Sequence, residues 1–310
     1  MTVKTYLRKN LRSIYFPLKR MYNRLEALVP AKLYAQFSYY KYKGKFLNLR
    51  NPQTYDEKIW WLKLNYFNPL EVQCTDKYEV RKYVEQCGLG NILNELYDHF
   101  YSAEEINFDK CPERFFLKCN HLSGGNLIVD KRHTDIHRLK EFFSPLMKEN
   151  NYYGTREWNY KDIKPCIIAE KILEMKNGGT LLDYKFMCFE GEPKFLFLDI
   201  GVCNPDGTHA EEYYRNIYDI QFNPIDEIKE TRDHYDYSKI KKPDNYEFMV
   251  ECAKKLSKPF PHCRVDLYNV DGRVYFGEIT FYHGSGKNDF QPYEADLMFG
   301  KLIPLIKYEK

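Results

Sequence analysis

HCRVDLYNVDGRVYFGEITF (residues 262–281) alternates apolar and polar residues on both sides of Asp271-Gly272, a turn dipeptide, and so predicts a β-hairpin. Val265, Leu267, Ile279 and Phe281 fall on one face at period two; Arg264 and Asp266, and likewise Glu278 and Thr280, fall on the other. With a three-residue loop, Asp271-Gly272-Arg273, Asp266 sits opposite Glu278. A two-residue loop sends the carboxylates to opposite faces. Facing carboxylates repel unless a cation separates them, and oxygen ligands suit Mg²⁺. A hairpin whose charged face meets only solvent gives the same alternation. The loop His283-Gly284-Ser285-Gly286-Lys287 adds backbone N–H donors beside that position.

Working outward, residues 184–189 and 194–200 form a second hairpin around Glu190-Gly191-Glu192-Pro193, opened by Asp183-Tyr184-Lys185. Arg114 to Cys119 is a short buried strand ending near Lys118, followed by the loop His121-Leu122-Ser123-Gly124-Gly125-Asn126 and a returning strand at Leu127 to Val129. Cys166 to Glu170 is a further strand, read on its own as an edge strand with a solvent-facing Glu170. Residues 135–149 and 244–257 have helical patterns, and 91–108 is mixed and acidic. Thr54 and Glu57 have the spacing of a capping box, with Trp60 and Trp61 expected in the core. Thr75 or Asp76 is expected to start a helix that ends near Gly88. Strands paired through hairpins place the fold in the α+β class with antiparallel sheets, not in a doubly wound parallel sheet.

The chain has 310 residues, 44% apolar and 29% charged, which excludes disordered and collagen-like classes. No apolar run is long enough for a membrane span, and the N-terminus has no signal core, so a cytoplasmic protein is expected. Nine cysteines without a C-x-x-C pair read as reduced, buried thiols. His133 and His137 lack a third zinc ligand. The net charge of +3 hides an asymmetry: residues 1–50 hold twelve Lys/Arg, ten Tyr/Phe and one acid, Glu26. Leu7, Leu11, Ile14 and Leu18 fall at roughly helical spacing there, while Pro17 and Pro30 are expected to interrupt any long helix. Such an arm either lies on an anionic membrane surface or polymer, or docks on the domain with its charges in water. Dinucleotide and P-loop glycine motifs, G-x-S-x-G, H-E-x-x-H and D-x-D are all missing.

A lysine leaving a buried strand beside a Ser-Gly-Gly loop meets phosphate as a point charge backed by N–H groups, although an exposed lysine on a surface hairpin looks the same. Lys185 repeats the pattern on another strand. Taken together, Asn51-Pro-x-Thr-Tyr-x-Glu-Lys58, Thr75-Asp76-Lys77, Lys118-Cys-Asn-His-x-Ser-Gly-Gly125, Asp183-Tyr-Lys-Phe-x-Cys-Phe-x-Gly-x-Pro193, Arg264-Val-Asp266 and Gly277-Glu-Ile-Thr-Phe281 resemble the ATP-grasp superfamily. Within it they resemble the TupA-like, teichuronopeptide-biosynthesis family of bacterial surface-polysaccharide clusters.

The resemblance implies an ATP-grasp fold of two antiparallel-sheet lobes closing on a nucleotide. It comprises a helical region at 51–112, a small lobe at 113–180 and a large lobe with a metal site at 181–310; the basic arm at 1–50 is covered by no motif. It implies ATP and Mg²⁺ as cofactors. Lys118 and Lys185 would hold the α/β-phosphates, and Ser123, Gly124, Gly125 and Asn126 would cover the β/γ-phosphates. Glu170, Ile172 and Leu173 would meet adenine and Glu174 the ribose. Asp266 and Glu278 would bind Mg²⁺, with Thr280 where many members carry Asn, and Arg264 would stabilise the transferring phosphoryl group. The implied activity is an ATP-dependent carboxylate–amine ligase that forms an acyl phosphate and amidates a uronic acid. A glycosyltransferase of capsule or lipopolysaccharide synthesis and a phosphotransferase are the alternatives. The implied partners are a saccharide carboxylate, an amine, lipid-linked glycan and an anionic membrane surface, with no nucleic acid.

Overall fold

The computed structural model describes residues 11–306. Helices α1 (Arg12–Ala27) and α2 (Ala31–Lys43) precede α3 (Tyr55–Asn65), α4 (Pro69–Thr75) and α5 (Val80–Gln86). The capping box at α3 is present: the Glu57 N–H reaches Thr54 Oγ1 at 3.4 Å, and Glu57 Oε2 accepts from the Thr54 N–H at 3.2 Å. Asp76 follows the last residue of α4 and, where the sequence placed a helix start, opens the turn into α5, its carbonyl accepting the Val80 N–H at 2.9 Å. Its carboxylate accepts the Tyr78 and Glu79 N–H groups at 2.8 and 3.2 Å, capping that turn and separating α4 from α5. Pro30 does break the arm, but Pro17 lies inside α1. The carbonyl it leaves without a donor belongs to Ser13, which is exposed to water. Leu7 lies outside the described residues.

The first sheet has the order β1-β4-β2-β3, with β1 (Leu96–Phe100), β2 (Arg114–Cys119), β3 (Leu127–Asp130) and β4 (Ile167–Glu170), all neighbours antiparallel. β1 arises from the mixed stretch to which the sequence assigned no element. By pairing with β4 it makes β4 an interior strand, so Glu170 is buried where a solvent-facing residue was expected. Helix α6 (Ile136–Leu146) covers this sheet, burying Leu139, Phe143 and Leu146 with Phe115, Leu117 and Val129, and α1 adds Phe16. Short α7 (Tyr152–Thr155) follows.

The second sheet has the order β10-β9-β5-β6-β7, with β5 (Leu182–Phe189), β6 (Glu192–Ile200), β7 (Tyr214–Asp219), β9 (His262–Val270) and β10 (Arg273–Thr280). One face buries Tyr184, Phe186, Leu196, Leu198, Val265 and Leu267 with Met249, Ala253 and Leu256 of α8 (Tyr246–Ser257). Each fully buried Leu, Val, Phe or Met side chain among them contributes about 1.5–3 kcal/mol, so this apolar face holds the sheet and frees the other for charge. A small ribbon, β8 (Lys229–Glu230) with β11 (Phe290–Gln291), and helix α9 (Tyr293–Lys301) close the chain. The loop between β6 and β7 reaches the first sheet, where the Ile128 N–H of β3 donates to Asp206 O at 3.0 Å. Beside that contact Gly207 is left-handed (φ +84°), and a Cβ there would lie 2.9 Å from Ile128 N.

Candidate active site

The β9–β10 turn has two residues, Asp271-Gly272, both left-handed, and pairs Val270 with Arg273. Continued unbroken, that register puts Asp266 opposite Gly277. A β-bulge between Phe276 and Glu278 shifts it by one residue, so Asp266 faces Glu278 and Arg264 faces Thr280. The expected pairing is therefore reached by another route than a three-residue loop. The bulge needs glycine because a Cβ on Gly277 would meet Asp266 O at 2.9 Å.

Antiparallel partners share a face, so the register lays out the charged surface strand by strand. Lys185 pairs with Asp266, Asp183 with Asp199, and Asp199 with Arg215. The Arg264 guanidinium forks onto Asp266, with both N···O distances 2.6 Å. Its Nη2 also lies 3.3 Å from Glu278 Oε1 and 3.1 Å from Thr280 Oγ1. Its Nη1 donates to His283 Nδ1 at 2.7 Å. Arginine has no acceptor, so His283 must carry its proton on Nε2, which faces Glu230 Oε1 at 3.5 Å. Lys185 Nζ lies 2.5 Å from Asp183 Oδ2 and 2.8 Å from Asp266 Oδ2. Arg215 forks onto Asp199 at 2.6 and 2.7 Å and pairs with Glu230. Burial pushes the Asp183 carboxyl up to about 7 despite Lys185 beside it.

The first sheet supplies the opposing wall. Lys118 Nζ is 2.7 Å from Glu170 Oε2, and Arg81 Nη1 is 3.8 Å from Glu170 Oε1. The Glu170 carboxylate is thus engaged by cations. Ile172 and Leu173 follow it, half-buried. Gly124 and Gly125 are left-handed (φ +87° and +77°), a shape few other residues take, and keep the loop tight against α6. Ser123 is exposed, and Asn126 Oδ1 is buried with no protein partner. Lys77 joins the two walls, donating to Leu122 O at 2.8 Å and standing 3.7 Å from Glu278 Oε2. Burial favours the neutral Glu278 carboxyl, but Lys77, Arg264, Lys185 and Lys118 outweigh it and hold the group down at about 2. Lys118, Lys185, Arg264, Asp266, Glu278 and Thr280 are therefore within one electrostatic neighbourhood. Glu174 instead pairs with Arg114 at 3.0 Å on the surface, at the far end of β2 from Lys118.

A TupA-like ATP-grasp family profile matches residues 57–304. The chain belongs to the TupA-like ATP-grasp family. Solved structures similar to it include an L-amino acid ligase from Bacillus licheniformis (14% identity, TM-score 0.47, covering 82% of this chain and 55% of that one). A D-alanine–D-alanine ligase from Bacillus anthracis complexed with ATP is another (15%, 0.40, 76% and 63%). A third is an N5-carboxyaminoimidazole synthetase from Staphylococcus aureus complexed with ADP (11%, 0.40, 77% and 53%). The chain thus spans a little over half the length of these proteins. A comparison with curated proteins gives no match.

In this TupA-like chain the sequence reading passed over Lys77, Arg81, Asp199, Arg215, Glu230 and His283 as site residues. Asp199 carried a signal, a carboxylate directly after the apolar run Phe195-Leu196-Phe197-Leu198, whereas Arg215 lies in the mixed stretch Tyr214-Arg215-Asn216 and carried none. Among the described residues no cluster of three or more His, Cys, Asp and Glu side chains is gathered to cage a metal. Mg²⁺ commonly takes one or two carboxylates and completes its shell with phosphate and water. Glu278, with 40% of its side chain open, fits that demand; Asp266 faces it but has both oxygens taken by Arg264 and Lys185, and would have to release one of them to share the ion. The Thr280 hydroxyl is already engaged by Arg264 and is a poor third ligand.

Proposed function

We propose that this chain is an ATP-dependent ligase that joins a carboxylate to an amine. The observation that carries the reading is the row Lys185–Asp266–Glu278 with Arg264, faced by Lys118 and the glycine loop from the other sheet. A carboxylate is a poor acylating agent at neutral pH. Attack by its oxygen on the γ-phosphorus of ATP forms an acyl phosphate and releases ADP. Attack of an amine on that carbonyl then forms the amide, expels phosphate and frees one proton. No side-chain nucleophile is required; the protein's part is positioning and electrostatics.

Lys118 and Lys185 offer fixed ammonium groups to phosphate oxygens, each held in place by a carboxylate. The Ser123–Asn126 backbone would close over the terminal phosphates through its N–H groups. Arg264 would meet charge developing on the transferred group, and the segment after Glu170 would line the adenine. Asp266 and Glu278 would hold Mg²⁺, which neutralises phosphate charge when bound. We place the acyl donor among the uronic acids of bacterial surface polysaccharides and the reaction in the cytoplasm; the family's resemblance to teichuronopeptide synthesis supports this.

Release of ADP and phosphate, screened over uronic acids crossed with amino acids, tests the reading. It should require both a carboxylate and an amine. AMP release would overturn it, as would a phosphorylated product that persists without amine, or stabilisation by UDP-sugars in place of ATP and Mg²⁺.

A further inference from the structure

Helix α1 is docked the wrong way round for a helix of a water-soluble domain. Phe16 and Asn23 are its buried residues. On that same side Arg12 donates to Phe142 O at 2.8 Å, and Lys19 and Arg20 reach Glu149 at 2.7 and 3.2 Å. Leu11, Ile14, Leu18, Met21, Leu25 and Leu28 recur at spacings of three and four, so they share the opposite side, and they are 40–80% exposed. A globular helix ordinarily buries such a stripe. The connecting helix repeats the pattern: α2 buries Ala35 and Tyr39 and exposes Leu33, Phe37 and Tyr40, and Phe46 beyond it is 75% exposed. Arg24, Lys32, Lys41 and Lys45 stand exposed among these residues.

A contiguous exposed apolar face marks a surface that something covers. Charge selects the occupant. Residues 1–50 hold twelve Lys/Arg against the single Glu26, so a second copy would bring like charge onto like charge. No described helix is long and apolar enough to cross a membrane. An apolar stripe flanked by cations, with tyrosines whose polar tips suit the headgroup level, is the composition of a helix lying in a bilayer interface. We propose that the α1–α2 pair docks this protein in the plane of an anionic lipid surface. The stripe enters the acyl boundary and the exposed cations meet lipid headgroups. The ligase would then work beside lipid-borne substrates, although the docking itself does not depend on the ligase reading.

The test uses the full chain with sedimentation of phosphatidylcholine vesicles and of an equimolar mixture with phosphatidylglycerol. Binding to the mixture should be at least about tenfold tighter and should weaken as salt rises. The double variant Leu18→Asp/Leu25→Asp, at exposed positions, should lose about tenfold in vesicle binding with no change in thermal unfolding. Arg24→Glu/Lys32→Glu should lose the preference for the anionic mixture. Equal binding to both vesicle types overturns the proposal, as does undiminished binding by the leucine variant. Light scattering supplies the remaining arm: a wild-type dimer that the leucine variant converts to monomer assigns the face to a second copy.

Discussion

Lys118 and Glu170 are diagonal neighbours on β2 and β4, and their charged atoms meet at 2.7 Å with both side chains largely buried. The pair fixes where the ammonium points. Lys118→Met should cut ATP and ADP affinity at least about tenfold, since a charge-assisted contact to phosphate is lost. Glu170→Gln keeps the lysine's charge and a hydrogen-bond acceptor but weakens its tether, so a severalfold loss is expected. Calorimetric titration with ADP and Mg²⁺ checks both. Equal losses in the two variants would show that Glu170 does more than aim Lys118.

The bulge at Gly277 is a second point where shape decides chemistry. In Gly277→Ala the new Cβ would sit 2.9 Å from Asp266 O and 3.1 Å from the Tyr268 ring, and backbone cannot easily yield. Overpacking of this kind costs about 1–3 kcal/mol. Relieving it moves Glu278 away from Asp266, so the variant should need more Mg²⁺ for the same rate. A Mg²⁺ titration of ADP release checks this; an unchanged curve in a folded variant would show that the bulge serves only the sheet.

That bulge also shows where the sequence stopped being legible. Period two put Arg264 and Asp266 on one side and Val265 and Leu267 on the other, because one face of a sheet must be apolar. The Asp266–Glu278 pairing, however, was expected from a loop length that the protein does not use. A turn fixes register only until a bulge resets it, and Gly277 between Phe276 and Glu278 was the one mark of the reset. The burial of Glu170 was not legible in its own segment for a related reason. An interior strand differs from an edge strand by its neighbours, and β1 lies 67 residues or more before its partner residues in β4. Lys77 belongs to a helical connection that meets the site only through tertiary packing. The motifs named the elements, and long-range contacts decided which side chains meet.

Asp266 and Glu278 should separate stability from activity. Asp266 lies between Arg264 and Lys185 with 2% of its side chain exposed. Asp266→Asn leaves two buried cations short of an anion, a loss of about 3–5 kcal/mol for a broken buried pair. Glu278 stands at the rim with 40% of its side chain exposed. Solvent weakens the hold of Lys77 and Arg264 on it, so Glu278→Gln should cost less stability than Asp266→Asn while ADP release falls by at least about a hundredfold. Denaturant unfolding beside the activity assay checks the split. A destabilised but active Asp266→Asn would remove that residue from the chemistry.

Acid should act on the fold through His262. Burial pushes its imidazole down to about 3. The hydrogen bonds agree with the neutral ring: Nδ1 lies 2.8 Å from Cys188 O, which only accepts, and Nε2 lies 2.8 Å from the Tyr55 hydroxyl, which donates. In the unfolded chain the ring titrates near its ordinary value of about 6.5. Between those values the unfolded state binds a proton that the native state refuses. Stability is therefore complete above about pH 6.5 and falls as pH drops, by about 1.4 kcal/mol per unit, or about 2 kcal/mol by pH 5. Asp183 and Asp296, raised by burial to about 7 and about 6, act in the opposite direction over part of this range. The raw pH profile thus mixes signs, and the difference between wild type and His262→Asn cancels the aspartates. Urea unfolding at a series of pH values should show that difference shrinking steadily from pH 6.5 to 4. A flat difference would mean that His262 takes up its proton inside the folded protein.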